Sequence, residues 1–365
     1  MEIYLLLPLP AVLAAIWQRQ LSQLGLFFVW ATTSSIMLIL MPIGSRDYLI
    51  YLRDFADMST LTFGEAASRD PLYATFAWTF SRLGGSGEAF IALLAVSALF
   101  VKLTAIRKLT QRSALAVVLY MNSFFFLHEF TQVRAGLAIG IWMHAIAALS
   151  QSRARYLALT TVATAVHFQA ALGYLILGLL NFARHAATSR AMVLVAMAIV
   201  AAGATTALDR FGYEIISRIP DPRTEIYLEL AASDIWVRPN PFSAISMLAI
   251  VTALFGLHSQ RWRHSRPILA YSDSVDSDRA IFISLLAGSC ALSLLSSVSV
   301  AAFRISEHFF SLLPAGLWIA ARAGGSRPRH AWLLWLIAAA LCYLFVFHSP
   351  YLLHPTLGEP LREDS

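Results

Sequence analysis

The sequence predicts an all-α polytopic membrane protein of about ten transmembrane helices plus a re-entrant helical hairpin. Three observations carry that prediction. Apolar residues make up 58% of the 365 positions and charged residues only 13%, outside the usual range of soluble globular chains. The apolar residues gather into segments of roughly 20 residues, the length that crosses a bilayer. The short connections between these segments are rich in arginine, as cytoplasmic loops are. The whole chain, 1–365, reads as a single integral membrane domain.

The candidate spans run approximately over 3–17, 22–43, 88–106, 113–127, 130–150, 191–208, 241–257, 279–298, 301–321 and 331–348. The first, Ile3 to Trp17, follows Glu2 rather than a basic stretch and lacks a small-x-small cleavage site before Gln18. It is therefore expected as a retained helix, not a secretory signal. Between Arg155 and Arg184 the apolar run is too long for one upright helix, and His167 and Gln169 interrupt it. Two half-length helices fit better, a hairpin over 155–184 with His167 at its tip.

Basic residues orient these spans. Clusters at Arg107, Lys108 and Arg112, at Arg153 and Arg155, at Arg184, His185 and Arg190, at Arg261, Arg263, His264 and Arg266, and at Arg322, Arg327 and Arg329 can all be cytoplasmic together. That requires the hairpin to leave and re-enter the same side. It also requires Pro71 to Leu83 to lie along the outer surface as an interfacial helix, since a crossing there would put the Lys102 to Arg112 cluster on the wrong side. Both termini then lie outside, as do two loops, 44–87 and 209–241. Each mixes acids, bases and aromatics: Asp47, Tyr48, Tyr51, Arg53, Asp54 and Asp70 in the first, Arg223, Glu225, Tyr227 and Trp236 in the second. Such mixtures suit a polar ligand with hydroxyls and phosphates, and equally a solvated loop surface.

The net charge of +6 belongs to the cytoplasmic loops on this reading, and nucleic acid is not an expected partner. Cys290 and Cys342 both fall in apolar segments and read as buried packing groups.

Ionisable residues inside apolar spans are expensive and mark sites. Arg134 lies about one turn below the outer end of its span, in a stretch where Gly136 and Gly140 are spaced for close helix approach. Its guanidinium fork suits a phosphate or diphosphate; the competing reading is a structural arginine paired with Glu129 or Glu307. His167 can donate to a phosphate or take a proton from a hydroxyl, or simply satisfy a half-helix end. Arg304, Glu307 and His308 stand at i, i+3 and i+4, on one helical face. The topology puts all five near the outer face of the membrane.

Other chemistries lack their signatures. His308, Glu307 and His167 are potential zinc ligands, yet no His-x-x-x-His or paired-carboxylate spacing occurs. No glycine-rich phosphate loop and no Gly-x-Ser-x-Gly elbow is present. The residues taken alone describe a membrane-embedded, outward-facing cationic site for an anionic amphiphile, with no metal and no cofactor.

A family resemblance adds to this. In order, the chain has Asp47-Tyr48 and Tyr51 after the second span, Asp70-Pro71-Leu72-Tyr73 before an aromatic segment, and Gln132-Val133-Arg134-Ala135-Gly136 opening a span. Ala163, Val166-His167-Phe168-Gln169-Ala170 follows at the hairpin tip, and Arg304 to Phe310 near the end. This order resembles the EpsG family of Wzy-like polysaccharide polymerases over most of the chain. The chain departs from the family pattern at Arg69-Asp70-Pro71-Leu72, where Glu-Pro-Gly is commoner, which weakens a role for Asp70.

The resemblance implies a glycosyltransferase of GT-C-like architecture in the bacterial inner membrane, with its active site facing the periplasm. Its implied donor and acceptor are undecaprenyl-diphosphate-linked oligosaccharides, with membrane lipid, a chain-length regulator and a flippase of the same pathway as further partners. The expected leaving-group cations are Arg134 and Arg304, and the expected base is His167, with His308 or Asp47 as substitutes. Tyr48, Tyr51, Arg53, Gln132, Gln169, Arg223 and Glu307 are expected to bind substrate. A transporter or flippase for a lipid-linked or anionic substrate, with histidine protonation driving alternating access, is the principal alternative. A membrane glycan acyltransferase is another.

Overall fold

The computed structural model describes residues 47–67, 70–111, 114–121, 123–183, 186–203, 205–218, 225, 228–229, 239–264 and 275–322. All regular structure among them is helical. The predicted spans 3–17, 22–43 and 331–348, together with Arg223 and Cys342, lie outside the described residues.

Packing divides the chain into two compact units. Among the described residues the first holds those up to Ala145 together with Ala158–Ala170; the second holds Ile146–Leu157 together with those from Ala171 onward.

The first unit opens with three helices in the predicted external loop 44–87: α1 (Tyr48–Thr60), α2 (Phe63–Ala67) and α3 (Pro71–Arg82), of which only α3 answers to the helix expected over Pro71 to Leu83. Thr62 and Glu65 form a capping box that starts α2, the Thr62 N–H and hydroxyl both donating to Glu65 Oε2, at 2.8 and 2.7 Å. Pro71 pre-sets the first turn of α3. α3 packs on both α1 and α2, and α1 and α3 pack on α4 (Gly87–Leu109), capped by Ser86. Phe90 of α4 collects the rings of Phe55, Tyr73, Phe76 and Phe80 at 5.2 to 5.7 Å between centroids. The loop is thus helical because its aromatics have an apolar partner in α4.

Two helices among the described residues are long and apolar enough to cross a bilayer, α4 and α12 (Val275–Leu294). Between α4 and residue 148 the predicted spans 113–127 and 130–150 are replaced by α5 (Ala114–Met121), a π-helical segment (Phe126–Thr131) and α6 (Val133–Ala148). The π-helical segment carries Glu129, whose carboxylate meets Lys102 at 2.7 Å. Lys102, read from sequence as the start of a cytoplasmic cluster, is instead fully buried inside α4. A lysine in mid-helix among apolar neighbours is tolerated there because an acid comes to it.

The predicted break at His167 is present. α7 (Arg153–Val166) ends before it, a 3₁₀ turn (Phe168–Ala171) follows, and α8 (Leu172–Phe182) continues. The Tyr156 hydroxyl donates to the Gly173 carbonyl at 2.6 Å, so the chain doubles back after the break.

In the second unit α9 (Ala186–Gly203), α10 (Asp209–Ser217), α11 (Ala244–His264), α13 (Ser299–Phe310) and α14 (Leu313–Ala321), with α8, pack about α12. α12 is buried almost all round, which is why its sequence has no polar stripe. Its serines spend their hydroxyls on backbone carbonyls: Ser284 on Ala280, Ser293 on Ser289, Ser277 on Ile146. Glycine permits close contact at Gly256, where a Cβ would fall 2.2 Å from the Phe282 ring, and at Gly203, 2.5 Å from Ser293 Cβ. The predicted span 301–321 is two helices: Ser311 and Leu312 end α13, and Pro314 sits in the first turn of α14, where its missing N–H costs nothing. The predicted loop 209–241 begins with α10.

Candidate functional site

Arg134 leaves the first turn of α6 and meets two acids and an aromatic ring, all in the first unit. Its Nη1 lies 2.8 Å from Asp70 Oδ2 and 3.9 Å from Asp54 Oδ2. The guanidinium carbon stands 4.7 Å from the centre of the Tyr73 ring, a cation–π distance. Asp70 precedes Pro71 at the start of α3 and makes no capping hydrogen bond, so its carboxylate is spent on Arg134. The arginine side chain is 18% exposed and the Asp70 side chain 15%, a half-sheltered pair. Arg134 Nε is buried and finds no acceptor among the described residues. The sequence-derived partners were Glu129 and Glu307; Glu129 is held by Lys102, and Asp70, which the sequence discounted, takes its place.

Tyr73 is buried, and burial first, then the neighbouring Asp54 carboxylate, raises its phenol well above the usual value, while Arg134 pulls the other way. Tyr51 adds to the raising effect and therefore belongs to the same neighbourhood. Tyr51 and Asp54 are three residues apart on α1 and share its inward face. Arg53 points out of that face and is exposed. Tyr48 is buried, 8% exposed, and burial followed by Glu88 raises its phenol. Asp47 stands at the start of α1, its carbonyl accepting the Tyr51 N–H at 3.0 Å. Gln132, the one residue between the π-helical segment and α6, gives its carbonyl to the Gly136 N–H at 2.7 Å.

Beside this cluster lies a second, wholly buried one. Lys102 Nζ donates to Glu129 Oε1 at 2.7 Å and to the Tyr120 hydroxyl at 3.0 Å, and that hydroxyl donates to both Glu129 oxygens, at 2.9 and 2.7 Å. The expected close approach at Gly136 and Gly140 is real and falls on Lys102. A Cβ on Gly136 would stand 3.1 Å from Lys102 Nζ and 3.0 Å from the His128 carbonyl oxygen; one on Gly140 would stand 3.0 Å from Lys102 Cγ.

His167 is 3% exposed, in the first unit with Arg134. Its ring Nε2 lies 3.2 Å from Gln169 Oε1. Its backbone closes α7 through Ala163 and starts the 3₁₀ turn through Ala170.

Arg304, Glu307 and His308 belong to the second unit. His308 is buried at 1% exposure, edge-on to Phe309 at 5.9 Å between ring centroids, whereas Arg304 and Glu307 are half-buried. No group of three or more histidine, cysteine or acidic residues among the described residues is arranged to hold a metal ion.

Regular structure that is all helical among the described residues, two helices long and apolar enough to cross a bilayer, and a half-sheltered ionisable cluster are the features of a membrane protein with a polar site. The EpsG family profile matches residues 25–354, and the chain belongs to that family, a family of Wzy-like polysaccharide polymerases. No curated protein and no solved structure matches the chain.

Two features escaped sequence reasoning. Asp70 was discounted on pattern, although its place before a helix-starting proline makes it a fixed carboxylate. Lys102 was counted with Arg107 and Lys108, although an ionisable residue in the middle of an apolar run is by itself a signal that an acid lies opposite.

Proposed function

We propose that the protein is a polysaccharide polymerase of the bacterial inner membrane, joining undecaprenyl-diphosphate-linked oligosaccharides on the periplasmic face. The observation that carries this reading is Arg134, held on Asp70 through Nη1 with its Nε unsatisfied, within a chain of the polysaccharide polymerase family. Asp70 and Asp54 hold the guanidinium through Nη1, so that Nε, which finds no acceptor among the described residues, is the group left to bond a diphosphate oxygen.

In the reaction an acceptor sugar hydroxyl attacks the anomeric carbon of the donor. The bond to the diphosphate breaks, and the diphosphate leaves with the electron pair. Charge grows on the leaving oxygen, and fixed cations there lower the barrier. Arg134 supplies such a cation. The hydroxyl proton goes to a base, for which His167 is the first choice and Asp47 the substitute. Tyr48, Tyr51, Arg53, Gln132 and Gln169 bind the sugar. The chemistry asks for no metal and no cofactor, and the flippase and chain-length regulator of the same pathway are the proposed protein partners.

The test is purified protein in nanodiscs with its lipid-diphosphate oligosaccharide, products resolved by size, beside Arg134→Ala. A ladder that falls about 10²- to 10³-fold in rate in the variant supports the assignment. No ladder from intact substrate, with candidate partners added, moves the reading to a transporter or a glycan acyltransferase.

A further inference from the structure

We propose that the buried Lys102–Glu129–Tyr120 cluster is a positioning device for Arg134, an inference that rests on the role given to Arg134 above. Lys102 touches three elements at once. Its ammonium holds the π-helical segment through Glu129 and α5 through Tyr120, while the ammonium and stem lie under Gly136 and Gly140 of α6. The π-helical segment and α6 are joined by Gln132 alone, and Arg134 follows two residues later. The angle at which α6 departs, and with it the reach of Arg134 to Asp70, is therefore set where Lys102 grips both sides of that joint.

The chemistry of the grip supports a geometric role. A buried ion pair contributes little net stability over a neutral pair of similar size, whereas it does define one arrangement of the groups it joins. Here the arrangement is over-determined: one ammonium, one phenol and both carboxylate oxygens satisfy one another at 2.7 to 3.0 Å. π-Helical turns recur where a side chain must be re-aimed, and this one ends just before Arg134. Gly136 and Gly140, where a Cβ would stand 3.1 Å from Lys102 Nζ and 3.0 Å from its Cγ, complete the fit.

The inference is tested with the full chain as Lys102→Met/Glu129→Gln, as Arg134→Ala and as the triple variant. Thermal unfolding, turnover on the lipid-linked oligosaccharide and amide hydrogen exchange are measured on each. The expected result is a double variant that unfolds near the wild-type temperature and polymerises on the order of 10²-fold more slowly. Exchange over 126–136 quickens, and the rate loss disappears once Arg134 is already alanine. Additive losses in the triple variant, or a double variant with full turnover, overturn the inference and leave the polymerase reading standing. An Arg134→Ala chain with wild-type turnover removes both. If the double variant does not fold, Gly136→Ala replaces it, since it keeps both charges and presses on Lys102 Nζ; the same non-additivity is expected. If the wild-type chain builds no polymer, exchange decides, and unchanged rates over 126–136 overturn the inference.

Discussion

Arg134 Nη1 stands 2.8 Å from Asp70 Oδ2, and the aspartate that holds it begins a helix it does not cap. That division of labour makes Asp70 a holder of the guanidinium and not a helix stabiliser. Asp70→Ala is expected to cost about 1.5–3 kcal/mol, the range for a hydrogen bond to a charged group. Polymer yield should fall with it, because the guanidinium loses its fixed orientation. Arg134→Lys, which keeps the charge and loses the fork, should fall between wild type and Arg134→Ala in ladder formation. A lysine variant as active as wild type would show that charge alone suffices.

Removing one member of the buried pair is a harsher change than removing both. Lys102→Met leaves Glu129 buried without its cation and is expected to cost about 3–5 kcal/mol, most of which returns on adding Glu129→Gln. Thermal unfolding of the purified single and double variants in detergent checks this. Equal destabilisation by the two would mean that the pair is not what compensates Glu129.

Glycines on helices of this chain are not equivalent. Gly136→Ala brings a Cβ to 3.0 Å from the His128 carbonyl oxygen and should destabilise by about 1–3 kcal/mol through overpacking. Gly178, on α8, has nothing within 4 Å of a built Cβ, so Gly178→Ala should be neutral or stabilising by about 0.5–1 kcal/mol. Opposite signs in the two unfolding shifts are the expected reading.

Tyr73 gives the site a pH dependence of definite sign. Its folded phenol is raised above the unfolded value of about 10, so the folded state keeps its proton where the unfolded state loses it. Its contribution to stability is therefore complete below about pH 10 and is lost as pH rises beyond that. Stability followed from pH 8 to 11 should decline more steeply in wild type than in Tyr73→Phe. Parallel curves would place the phenol outside the coupled cluster.

Much of the second unit was legible because burial on all sides leaves a plain mark. After Arg279, α12 reads as an apolar run broken only by small polar residues, and the predicted span 279–298 falls largely within it. The break at His167 was legible for the opposite reason, since a polar pair in mid-run ends a helix. The 301–321 span was not resolved into α13 and α14, because Pro314 in a first turn looks in sequence like a proline tolerated inside a longer helix. In loop 44–87 the helix over Pro71 to Leu83 was legible and α1 and α2 were not; all three are held where Phe55, Tyr73, Phe76 and Phe80 find Phe90, a partner that local patterning does not name.

By itself the amino-acid sequence determined the all-helical membrane class, the family, the helix break at His167 and the close contact at Gly136 and Gly140. These depend on composition, period and short-range steric demand, all of which are written along the chain. Only the tertiary structure decided which charge meets which: Asp70 rather than Glu129 for Arg134, and Glu129 for Lys102, 27 residues away. The physical reason is that an ion pair is selected by the docking of separate helices. A carboxylate carries no mark in the sequence of the cation that packing will bring to it.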